Sequence, residues 1–98
     1  MAKANWTIQA NLDLEEIVFY LGVEQNRRSI ARKIAREIRD KCEVHAISPL
    51  LGTARADLGE GLRIFSHKRW VVVFRPVAEG IEVLRVVDGS RNYHQLLA

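Results

Sequence analysis

The stretch from Gly61 to Val87 leaves this half of the chain one way to fold. Gly61–Ser66 reads as a strand, His67-Lys68-Arg69 as a tight polar corner and Trp70–Pro76 as a second strand. Ala78-Glu79-Gly80 then turns the chain into a third strand, Ile81–Val87. The β-branched and aromatic residues suit a pleated surface, and the Gly and Pro breaks fall between the runs. A parallel return needs a crossover of about a dozen residues or more. These corners are far shorter, so the strands form an antiparallel meander.

Upstream, Asn5–Ala10 alternates and carries Trp, Thr and Ile, which predicts a first strand. Asp13 followed by Glu16 forms a capping box, so a helix is expected to start there and end near Gly22, with Leu14, Ile17, Val18 and Leu21 on its buried face. Asn26 is placed to cap a second helix, from Arg27 to about Glu43. Its stripe of Ile30, Ala31, Ile34, Ala35, Ile38 and Cys42 is unbroken at spacings of three and four. Pro49 closes the helical region. Thr53–Glu60 has no clear period and reads as a loop, with room for a helical turn at Ala54–Asp57. Asp88-Gly89-Ser90 is turn chemistry, and Arg91–Leu97 forms a short tail. The expected fold is a single α+β domain over residues 1–98: an N-terminal strand, an antiparallel helical hairpin, then the three-stranded meander. The hairpin closes one sheet face, and little chain is left for the other. A sheet face bearing Trp70, Phe74 and several Val and Ile residues marks a partner site if it stays bare.

Composition narrows the function. No apolar run approaches the roughly 18 residues of a membrane span, and no signal-peptide core follows Met1-Ala2-Lys3-Ala4, so cytoplasmic residence is expected. The lone cysteine, Cys42, lies in the apolar stripe and reads as a small buried hydrophobe. His45, His67 and His94 lack metal-ligand spacing, and Gly59 and Gly61 make no phosphate loop. No metal, cofactor or small-molecule substrate is expected. Net charge is +3, with Arg27, Arg28, Arg32, Lys33, Arg36, Arg39 and Lys41 crowding one helix. Such a run is either a solvated face or a surface for an acidic partner, nucleic acid or protein. Direct DNA binding has no reading helix or zinc pattern to support it.

The ordered set of Asp13-Leu14-Glu15-Glu16-Ile17, Pro49-Leu50-Leu51-Gly52, Gly61-Leu62-Arg63, Trp70–Arg75 and Ile81–Arg91 resembles the ParE/RelE toxin superfamily of type II toxin–antitoxin systems, most of all its ParE-like branch. The resemblance implies the β-α-α-β-β-β toxin fold and a bacterial toxin held inactive by a ParD-like antitoxin in a hetero-oligomer. ParE-like toxins inhibit DNA gyrase, and DNA contact is left to the antitoxin. Arg63, Trp70, Phe74, Arg75, Arg85, Arg91 and Tyr93 are the expected antitoxin or target contacts, with Trp70 and Phe74 equally readable as core. The exposed tail from Arg91 to Ala98 is the expected seat of toxicity.

RelE-like relatives cleave mRNA on the ribosome, which needs groups that move protons and neutralise a phosphate. Arg63, His67, Arg75, Arg91, Tyr93 and His94 are the candidates for that alternative. By resemblance, Val71 stands where the nuclease branch has a strand Arg, and Leu62 and Ile64 stand near its lysines. Valine can do neither job, so no catalytic residue is expected and the gyrase-directed reading leads.

Overall fold

Thr7, not Asp13, starts the first helix. The computed structural model describes residues 2–97, apart from the Leu96 side chain; Met1 and Ala98, the last residue of the predicted tail, lie outside them. β1 is Lys3–Trp6, and α1 runs from Ile8 to Phe19. The Thr7 hydroxyl accepts from the Ala10 N–H at 3.1 Å, a side-chain cap, while donating to the Leu84 carbonyl at 3.1 Å. The alternation of Asn5–Ala10 therefore misplaced the boundary: it spans the end of a strand, a cap and the first helical turn. Asp13 lies inside α1 and caps nothing.

A π-helical turn, Tyr20–Glu24, leads to α2, Arg28–Ile47. Asn26 does not cap α2; it takes a left-handed φ of 52°, and Arg27 holds the cap position without a side-chain bond. α2 runs past the predicted Glu43 to Ile47, because Ala46 continues the buried stripe. Pro49–Leu51 form a 3-10 turn. The expected loop then supplies a two-residue strand, β2 (Thr53–Ala54), where no helical turn forms at Ala54–Asp57. β3 (Arg63–His67), β4 (Trp70–Val77) and β5 (Gly80–Asp88) are the antiparallel meander, and His94–Leu97 is a single helical turn, α3.

The sheet has five strands in the order β1-β5-β4-β3-β2, with β1 parallel to β5. The helical hairpin carries the chain from β1 to β2 at the opposite edge, and the meander then returns it to β5 beside β1. β1 comes so close at Gly80 that a Cβ there would lie 2.1 Å from the Lys3 carbonyl oxygen, and Gly80 has a φ of 138°. Along β5 the register slips: Val73 faces Arg85, but Phe74 faces Val83. The extra residue lets Val83 and Val86, three apart, both reach the helix-side core. It also turns Arg85 toward α1.

Leu14 and Ile17 of α1, Leu21 of the π-helical turn and Ile34, Ile38 and Cys42 of α2 bury against Val72, Phe74, Ile81 and Val83. Trp70 and Phe74, at 7% and 0% exposure, belong to this core and not to an open face. Burial pushes the Cys42 thiol up to about 12, which leaves it unreactive near neutral pH. The second sheet face is not bare either. Val71, Val73 and Val87 are buried there, with Leu62, Ile64, Tyr93 and Leu97 packed against them. Among the described residues, no helix is long and apolar enough to cross a membrane.

α1 is tied to the sheet by one buried carboxylate. Asp13, 6% exposed, accepts from Arg85 Nε at 2.8 Å, Arg85 Nη2 at 3.2 Å, the Val86 N–H at 2.9 Å and Gln9 Nε2 at 2.9 Å. Removing it strands a guanidinium and a buried N–H. Asp13→Ala is therefore expected to lower the unfolding free energy in a urea titration by about 2–4 kcal/mol. Glu16→Ala, on the exposed side of the same helix, is expected to stay within about 0.5 kcal/mol of the parent.

Candidate partner-binding surface

Most of the cations expected to meet a partner are engaged within the chain. Arg63 Nη2 donates to the carbonyls of Gly52 at 2.6 Å and Leu50 at 3.2 Å, so it holds the 3-10 turn against β3. Arg75 pairs across strands with Glu82 at 2.8 Å, and Arg85 is held by Asp13. His67 is not a solvated corner residue: it is 8% exposed at the end of β3, 2.9 Å from Glu37 of α2. That hydrogen bond, with His67 nearby, holds the Glu37 carboxyl below its ordinary range. Arg91 is exposed and opens onto a polar groove shared with Asp13, Glu16, Arg69 and Arg85. No side-chain partner for it is found among the described residues.

Tyr93 and His94 lie in a separate cluster, on the opposite side of the sheet from His67. Arg55 Nη1 donates to the Tyr93 hydroxyl at 2.9 Å, and its Nε and Nη2 reach Asp57 at 2.9 and 2.8 Å. His94 Nε2 lies 3.0 Å from the same carboxylate. The Arg55 bond holds the Asp57 carboxyl below its usual range. Sequence reasoning missed Arg55 and Asp57 because their loop has no period; the i, i+2 pairing of a cation and an anion was the only local signal. This cluster and the Asp88 turn pin the tail over Val71, Val73 and Val87.

Open apolar surface lies instead on the helices. Between α1 and the first half of α2 runs a groove of about 510 Å³, with Leu14, Val18, Ala31 and Ala35 in its walls and Gly22 at its end. Phe19 and Val23 stand on its lip at 55% and 56% exposure. The lips differ in sign: Glu15 lies on the α1 side, and Arg28, Arg32 and Arg39 on the α2 side. Arg39 is spoken for, stacked 4.6 Å above the Trp6 ring. Glu15, Arg28 and Arg32 have no ion-pair or hydrogen-bond partner within the chain among the described residues. A second exposed apolar patch, Val44, Ile47, Leu50 and Leu51, caps the far end of α2.

Fold and surface together define a small α+β domain with an open apolar groove on its helical side. Residues 4–93 match the family model described as the ParE toxin of the type II toxin–antitoxin system parDE. Toxin ParE3 of Caulobacter vibrioides is 34% identical over 84 residues, covering 66% of this chain and 84% of that protein. A chain from the chromosomal ParDE system of P. aeruginosa superposes with a TM-score of 0.71 over 90% of this chain and 96% of its own; at 22% identity this is a likeness of fold. The chain belongs to the ParE toxin family of type II toxin–antitoxin systems.

The turn that launches the tail is held by an anion. The Ser90 N–H, Arg69 and the Ser90 hydroxyl all donate to Asp88 and lower its carboxyl to about 2. Its folded value lies below the ordinary 3.8, so its contribution is present above about pH 4 and is lost as pH falls toward 2. The Ser90 amide proton resonance is expected to titrate with a midpoint near 2; a midpoint near 3.8 would mean that these bonds are absent in solution.

Proposed function

We propose that this toxin acts on DNA gyrase without catalysing a reaction of its own, and that its cognate antitoxin silences it by occupying the groove between α1 and α2. The observation that carries the first part is the dispersal of the nuclease candidates. Proton transfer on a ribose hydroxyl needs a base and an acid within hydrogen-bond reach of one reacting centre. Here His67 is sealed beneath α2, Arg63 is spent on carbonyls, Arg75 sits in a cross-strand pair, and Tyr93 and His94 lie on the other sheet face. Gyrase inhibition demands only a binding surface, and Arg91 with the tail beyond it supplies an exposed, cationic one. Gyrase as target places the protein in the bacterial cytoplasm, acting as a single domain.

The antitoxin part rests on the groove. A segment that folds on binding can lay an apolar face along Leu14, Val18, Ala31 and Ala35 and direct carboxylates to Arg28 and Arg32. DNA contact is then the antitoxin's task, and the toxin meets DNA only through it.

Two assays with the same purified protein test the target. In a gyrase supercoiling reaction, cleaved-DNA complexes are expected to accumulate. In a translating extract, mRNA mapped by primer extension is expected to stay intact. Codon-phased cuts would instead establish the RelE-like alternative, with the His94–Asp57 pair as the first place to look for its chemistry. For the antitoxin, Ala35→Trp fills the groove from within and is expected to weaken binding at least tenfold, about 1.4 kcal/mol or more. Arg91→Ala is expected to leave that affinity unchanged.

A further inference from the structure

We propose that, without antitoxin, two copies of this chain close each other's α1–α2 groove in a two-fold dimer. The inference rests in part on reading the groove as the antitoxin's seat, and its argument is the unpaired charge on the two lips. Glu15 lines the α1 side and Arg28 and Arg32 the α2 side, yet within one chain they do not pair. A segment that directs its carboxylates to the arginines leaves Glu15 on the other lip without a partner. A second copy satisfies both, because a two-fold axis sets α1 of each hairpin against α2 of the other and makes every Glu15–Arg32 contact twice.

Apolar shape agrees. Phe19 projects from the lip at 55% exposure, while the groove beside it is lined by small residues, Gly22, Ala31 and Ala35. Each copy thus presents both the knob and the hole. A chain of net charge +3 repels itself, so self-association belongs where opposite charges can meet. A single groove closed mainly by Phe19 and a few charge pairs predicts a reversible dimer, with dissociation on the order of micromolar.

The test is sedimentation velocity on the antitoxin-free protein from about 1 to 100 µM, a range that brackets micromolar dissociation. Dimer is expected to grow with concentration. Phe19→Asp and Arg32→Glu, both at exposed positions and checked for folding by circular dichroism, are each expected to raise the dissociation constant about tenfold or more. Combining Glu15→Arg with Arg32→Glu restores opposite signs across the axis and is expected to recover the dimer. A monomer throughout the range, or a dimer indifferent to these substitutions, overturns the proposal. Adding antitoxin separates the two readings. Dissociation of the dimer supports a shared groove, whereas binding to an intact dimer leaves the dimer standing and moves the antitoxin elsewhere.

Discussion

A single buried carboxylate sets the geometry on which the rest depends. Asp13 binds Arg85 and the Val86 N–H from the middle of α1, and so fixes both the height and the rotation of that helix above β5. With this rotation Leu14 and Ile17 point into the core, and Ile8, Leu12 and Phe19 are left outside. The slip in register on β5 is the counterpart of the same contact, since it is what turns Arg85 toward α1. Thr7 completes the joint by capping α1 and bonding to Leu84 at the slip.

The strong periods in the sequence carried over well. The meander appears with its corners within a residue or two of their expected places, and the α2 stripe from Ala31 to Cys42 is buried as its spacing requires. What failed was short or non-local. Thr7-Ile8-Gln9-Ala10 alternates as well in a strand as in a capped first turn, and only the Leu84 carbonyl, far along the chain, decides between them. β2 has two residues and no pattern of its own. Asp13 with Glu16 imitates a capping box, and nothing nearby in sequence reveals Arg85 as the real partner.

The candidate surface was less legible than the fold. The expectation that one sheet face lies open failed because seven tail residues of weak pattern cover it, with Tyr93 and Leu97 seated on Val71, Val73 and Val87. Their anchor is the Arg55–Asp57 pair, from a loop that gave no signal. Apolar exposure moved to the helices, where Phe19 and Val23 complete no stripe that sequence could have marked as a groove. The basic run on α2 resolves into cations with different work: Arg39 stacks on Trp6, while Arg28 and Arg32 line the groove with no side-chain partner among the described residues. Open apolar surface therefore lies on the helical side and not on the sheet.

The central proposal, that the antitoxin meets the helices and not the far sheet face, is tested most directly by hydrogen–deuterium exchange on the toxin with and without that antitoxin. Slowed exchange along α1 and the first half of α2, with Val71–Val73 and the tail unchanged, is the predicted footprint. Protection of Val71, Val73 and Val87 together with faster exchange in residues 91–97, the tail having been displaced from the sheet, would contradict it.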